Sequence, residues 1–209
     1  MAGVANLFTR DFYRIAQRRL REGGVFTQWL QTYQITLDTY RSILATFQDA
    51  FPEVLVFHPP GGADTILVGS KSPLTFDLEE LDRRWQMEPR AKDLARLGMI
   101  GSEYLLATLY LGPDAVRKIA EGGRINTDSN MYVEFRGARD MERNVEEDMA
   151  ETFAVLEHFE TPLETMVSDP QALVGSRQRL DTLVAGLRLV ERDPSRFEKM
   201  ARSLPTAGR

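Results

Sequence analysis

Val25-Phe26-Thr27-Gln28-Trp29-Leu30 is a short run of β-branched and aromatic residues, and it reads as a strand. Gly23-Gly24 stand before it and stop a helix that spans Arg10 to Arg21. Thr9 suits the N-cap of that helix, Asp11 suits its positive end, and Phe12, Ile15, Ala16 and Leu20 fall on one face. Downstream, Leu37 to Phe51 carries a helical stripe of Tyr40, Ile43, Leu44, Phe47 and Phe51, which Pro52 terminates. Val54 to Phe57 and Thr65 to Gly69 follow as short strands, separated by the turn signal Pro59-Pro60-Gly61-Gly62.

The order is therefore helix, strand, helix, strand, strand. Val25 to Leu30 and Ile66 to Val68 show little polar alternation, the pattern of strands buried on both faces beneath helices. A helix between two strands predicts a right-handed crossover with parallel pairing, and the short Gly/Pro loop predicts an antiparallel final hairpin. Leu7 to Ser70 is thus expected to form the back half of a doubly wound α/β domain, a partial sheet of about three strands.

Lys71 to Thr75 reads as a boundary, dividing residues 1–75 from a mainly helical region at 76–209. Asp77 to Trp85, Pro89 to Leu97, Ser102 to Leu111 and Pro113 to Glu121 all have helical patterns, with Pro89 and Pro113 near helix starts. Tyr132 to Phe135 is expected to be one short strand. Val145, Met149, Phe153, Leu156 and Phe159 form a further stripe, and the acidic run Glu142, Glu146, Glu147 and Asp148 is expected on its solvated side. Asp169-Pro170 and Asp193-Pro194 are matched helix starts. They hint at a helical-hairpin repeat of the tetratricopeptide kind, although the aromatic and alanine signature is missing.

The 209 residues are 43% hydrophobic and 27% charged, with a formal net charge of -5 and a pI near 5.2. A mildly acidic chain gives no electrostatic reason to expect nucleic acid or an anionic membrane as partner. Cysteine is absent, which rules out disulfides, thiolate metal ligation and a cysteine nucleophile. The most apolar helix-like run, Tyr104 to Leu111, is far shorter than the roughly 18 to 20 residues a membrane span requires. Met1-Ala2-Gly3-Val4 lacks the basic and apolar regions of a secretory signal, so a cytoplasmic location is expected. His58 and His158, the only histidines, have no companion acid at metal-ligand spacing.

Taken as a set, Gly3-Val4-Ala5-Asn6-Leu7-Phe8-Thr9-Arg10-Asp11-Phe12-Tyr13, Leu20 and Gly23-Gly24-Val25 resemble the spermidine/spermine synthase family. Tyr40-Arg41-Ser42 through Phe51-Pro52 and Thr65 to Ser70 extend the likeness, and Ile125-Asn126-Thr127-Asp128 with Glu134-Phe135 resembles a segment of large spermidine-synthase-like bacterial proteins. The resemblance does not reach the C-terminal helices. These proteins are polyamine aminopropyltransferases with an S-adenosylmethionine-dependent methyltransferase fold. The resemblance implies a parent that transfers an aminopropyl group from decarboxylated S-adenosylmethionine to putrescine or a related amine, and parents of this kind are sometimes membrane-tethered.

The family binds its donor in a glycine-rich loop, holds the ribose with an acidic residue and acts on the amine with an aspartate; none of these has a counterpart here. No G-x-G-x-G follows a strand in this sequence. The chain is therefore expected to be a C-terminal portion, without a cofactor of its own and inactive alone, that pairs with an N-terminal half or with a second copy. Gln28 is the family polar position that survives, and Tyr33 and Asp64 lie on loops at the carboxyl-end side of the sheet, where they would line a polyamine acceptor pocket. Each has a plain structural reading too: Gln28 satisfying backbone groups, Tyr33 as core, Asp64 as a turn residue. Asn126 and Asp128 are expected to make side-chain turns and cap a segment. A non-catalytic interaction module that uses the C-terminal helices is the alternative.

Overall fold

The structure is a computed structural model, and it describes residues 5–59, 63–140 and 144–192. The chain forms two compact units. The first takes in the residues up to His58, Ala63–Leu74 and Tyr110–Thr161; the second takes in Thr75–Leu109 and the chain from Pro162 onward.

The first unit contains α1 (Arg10–Arg19), β1 (Val25–Gln31), α2 (Leu37–Ala50), β2 (Glu53–Phe57) and β3 (Asp64–Ser70). It continues with β4 (Leu109–Leu111), where the chain re-enters, and with α6 (Pro113–Ala120), α7 (Tyr132–Asp140) and α8 (Val145–His158). Local chemistry explains the helix starts. The Thr9 side chain accepts from the Phe12 N–H, Thr36 accepts from Thr39, and Asn144 accepts from Glu146.

The strand order is β1-β3-β2-β4, and the sheet is fully antiparallel. The doubly wound parallel sheet expected from sequence is overturned. β1 and β2 do run in the same direction with α2 between them, but they do not pair. β3 follows β2 in the chain and inserts between them, antiparallel to both, and the turn expected at Pro59 to Gly62 lies largely outside the described residues. Packing on the helical side explains the insertion. Phe47 of α2 and Phe51 just after it lie over Gly69 of β3, where a Cβ would sit 2.5 Å from Phe51 Cγ. Only glycine lets the helix settle onto the central strand. Phe12, Tyr13 and Phe26 complete this aromatic cluster, with Tyr13 and Phe47 centroids 4.9 Å apart and Phe26 stacked on Phe51 at 5.5 Å.

Four other expectations change. β1 is not buried on both faces: it is an edge strand, and Val25, Thr27 and Trp29 are exposed. The sheet has a fourth strand, β4, in residues that read as the end of a helix. Leu109, Tyr110 and Leu111 are all buried, and an uninterrupted apolar run carries no period that separates helix from strand. Thr161 N–H donates to the Tyr110 carbonyl and the Gly112 N–H donates to the Thr161 hydroxyl, which fixes β4 in place. Tyr132 to Phe135 is helical, not a strand. Asn130 accepts from the Tyr132 N–H and Asn126 from the Val133 N–H, and these caps outweigh the β-propensity of the residues themselves. On α8 the buried line is Asp148, Thr152 and Leu156, so the acidic run is divided: Glu146 and Glu147 face solvent and Asp148 does not. Glu142 lies outside the described residues.

The second unit contains α3 (Leu78–Trp85), α4 (Arg90–Arg96), α5 (Glu103–Ala107) and α9 (Arg177–Arg192), with short 3-10 turns at Leu163–Thr165 and Pro170–Leu173. Leu106, Val167, Leu173 and Leu180 form one apolar cluster, and Ala107, Leu183 and Leu187 form another. Asp169 caps the 3-10 turn at Pro170, and the long helix begins only at Arg177. The matching helix start at Pro194 lies outside the described residues. Among the described residues, no helix is long and apolar enough to cross a membrane.

Candidate functional site

β1 and β2 end side by side in direction, and β3 begins there, so one end of the sheet gathers Thr32, Tyr33, Thr36, His58, Asp64 and Thr65. Each is held differently. Thr32 bonds the Ala63 carbonyl through both its N–H at 2.7 Å and its hydroxyl at 2.6 Å. His58 is buried, and its Nδ1 lies 2.7 Å from the Asp64 carbonyl, so Nδ1–H is the donor. Its ring packs against Phe153 and Tyr110 at 4.7 and 5.3 Å. Thr65 accepts from Tyr40 Oη and donates to the Leu30 carbonyl. Burial pushes the Tyr40 hydroxyl well above the usual tyrosine range, and the Thr65 contact only partly offsets this. His58 therefore ties β2 to β3. Among the described residues no three His, Asp or Glu side chains gather as a metal site.

Asp64 is the exception in this corner. It is half-buried, yet its Oδ1 is shielded from solvent and has no hydrogen-bond partner among the described residues. It stands opposite Gln31, and residues opposite each other in an antiparallel sheet share a face. Tyr33 sits in the loop after β1, where its carbonyl accepts from Gln31 Nε2, and Gln34 follows with φ of 59°.

Gln28 lies elsewhere. It stands opposite Leu67, which stands opposite Val56, and both of these belong to the core beneath α2. It is therefore three residues back from the strand end and on the sheet face away from Asp64. Its Nε2 donates to the Trp29 carbonyl at 3.0 Å. The structure thus brings Tyr33 and Asp64 to one end and leaves Gln28 apart from them.

The Asn126 segment is a clip. Asn126 is wholly buried, and all its groups are used. Its Nδ2 donates to the Phe8 carbonyl, its N–H to Thr46 Oγ1, its Oδ1 accepts from Val133 and its carbonyl accepts from Arg10. The Asp128 N–H donates to Asp11 Oδ2. One segment thereby joins the starts of α1 and α7 to the middle of α2.

Sequence reasoning missed Asp140. This carboxylate is buried at the start of α2, where its Oδ2 accepts from the Thr36 N–H and hydroxyl at 3.1 Å each and from the Thr39 hydroxyl at 2.5 Å. Arg136 approaches its other oxygen at 4.0 Å. The Thr36-x-x-Thr39 spacing was the available signal, since it marks a helix start able to receive an anion.

No family model, no curated protein and no solved structure matches this chain.

Proposed function

We propose that the first unit is the acceptor-side part of an aminopropyltransferase-like protein, and that this chain alone neither binds the donor nor turns over. In the parent reaction an amine nitrogen attacks the methylene carbon beside a sulfonium. The C–N bond forms as the C–S bond breaks, and a carboxylate takes the proton that the amine loses. The observation that carries the reading is the shielded Asp64 oxygen, without a hydrogen-bond partner among the described residues, at the end of the sheet where β1 and β2 finish. A carboxylate in that state suits the ammonium of a diamine. Tyr33 in the neighbouring loop supplies an aromatic wall. Gln28, on the other face, fits a role at the strand edge better than one against the acceptor.

The donor side has no support in this sequence, because no glycine-rich loop follows a strand. Calorimetric titration of the chain with S-adenosylmethionine and with decarboxylated S-adenosylmethionine is expected to give no binding heat. Saturable binding of either would overturn the proposal. A putrescine titration of the native chain and of Asp64→Asn tests the acceptor assignment, with binding expected only in the native chain.

The second unit favours the alternative of an interaction module. Leu97 and Val174 are each 71% exposed, and an open groove runs along α9 beside Val174, Arg177 and Asp181. Absence of binding to both donor and diamine would leave that reading in place.

A further inference from the structure

The phase of the β1–β3 ladder is set by one bond. Thr32 lies opposite Ala63 when the register is extended by one residue, and the Thr32 N–H bonds the Ala63 carbonyl. Bonded pairs alternate along an antiparallel ladder. Phe26, Gln28 and Leu30 therefore turn their backbone groups toward β3, whereas Val25, Thr27, Trp29 and Gln31 turn theirs away from the sheet. Among the described residues, the Trp29 carbonyl accepts from the side-chain amide of the preceding residue, Gln28. The strand offers seven residues of edge without a charge, a proline or a bulge, the devices that normally block such edges. Val25 and Trp29 are each 46% exposed beside it.

The charge around this edge is one-sided. Arg18, Arg19 and Arg21 are exposed at the end of α1 and in the turn that leads into Val25. Lys71 is exposed too, and its Nζ reaches the Leu20 carbonyl at 3.0 Å, which places a fourth cation at the same end. Glu22 is the carboxylate on that turn, and Glu53 is two strands away.

We infer that the outer edge of β1 receives an extended polypeptide segment that carries carboxylates at its C-terminal end. The segment adds antiparallel to β1, exchanging bonds with Val25, Thr27, Trp29 and Gln31, and displaces the Gln28 amide from the Trp29 carbonyl. Antiparallel addition brings its C-terminal end to the start of β1, against Arg18, Arg19, Arg21 and Lys71. A second copy of this chain fits less well, because β1 placed against β1 would set two such cationic ends at the flanks with no acidic counterpart on the strand. The inference rests on the edge geometry and stands apart from the aminopropyltransferase reading.

The test uses the full chain and a short synthetic peptide of alternating valine and threonine that ends in two glutamates. Binding is read by calorimetry and by the shift in tryptophan fluorescence, assigned to Trp29 by its persistence in Trp85→Phe. A peptide ending in two lysines is expected to bind about tenfold more weakly. A peptide methylated on the amides that face β1 is expected not to bind. Thr27→Pro is expected to abolish binding while preserving the fold, since the Thr27 N–H takes no part in the β1–β3 ladder. Equal binding of the methylated peptide, or of the acidic and basic peptides, overturns the inference. So does a native chain that binds no peptide, or one that elutes as a dimer the peptide does not dissociate; the dimer would give the edge to a second copy. The methylated peptide keeps the test decisive if Thr27→Pro does not fold.

Discussion

The covered side of the first unit and its open edge are built from the same strands, yet they solve opposite problems. Beneath α1 and α2, Phe26 and Leu30 meet an aromatic cluster, Gly69 admits two rings, and Asn126 satisfies four backbone or hydroxyl groups. One residue further along the same strand, Thr27 and Trp29 meet solvent. The difference teaches that a strand's composition does not fix its burial. β1 is as apolar as a central strand but occupies an edge, because β3 took the central place.

Gly69→Val probes this contrast most severely. Its side chain would enter space held by Phe47 and Phe51, and a stability loss of about 3 kcal/mol is expected in denaturant unfolding. A loss below about 1 kcal/mol would mean that the helix does not bear on β3 as described. Asn126→Ala comes next. It strands the Phe8 carbonyl and the Val133 N–H in the interior, for an expected loss of about 2 kcal/mol.

Tyr13→Phe sharpens the comparison in a different way. The Tyr13 hydroxyl is buried without a partner among the described residues, so its removal is expected to leave stability equal or to raise it by up to about 1 kcal/mol near neutral pH. Burial holds the Tyr13 ionisation well above that of an exposed tyrosine. The folded state therefore keeps its proton where the unfolded state loses it. The stabilisation is intact below about pH 10 and falls above it, by about 1.4 kcal/mol per pH unit for each such tyrosine. Tyr13→Phe should flatten that alkaline limb in thermal melts taken from pH 9 to 11. An unchanged limb would show that Tyr13 is not what the alkaline transition reports.

Trp29→Thr should do least. On the open edge the ring adds little to the folded state, and a change within about 0.5 kcal/mol is expected. A loss of about 2 kcal/mol would instead indicate that the edge is covered in solution.

Much of the local structure was legible in the residues. Thr9 as a cap, Pro52 as a stop, and the β2–β3 hairpin all follow from side-chain chemistry acting over a few positions. Tyr33 in the loop after β1 also followed, whereas Asp64, expected on a loop, is the first residue of β3 and pairs with Gln31 at the same end of the sheet. Gln28 could not be placed, since face and phase depend on register, and a shift of one residue inverts both. Asp140 was invisible for a related reason: it meets Thr36 and Thr39 across about a hundred residues of sequence.

By itself the sequence determined where α1, α2, α3 and α6 start, where Pro52 stops α2, and that Val25 to Leu30, Val54 to Phe57 and Thr65 to Gly69 extend, because capping, proline and period act within a turn or two. Only the tertiary structure decided that β3 lies between β1 and β2, that Leu109–Leu111 is a strand, and that Tyr132–Asp140 is a helix. In each case a distant partner settled the matter: two phenylalanine rings over Gly69, Thr161 beside β4, and the Asn126 side chain at the start of α7. Those contacts are worth more than the local preferences they override, and a local reading of the chain contains none of them.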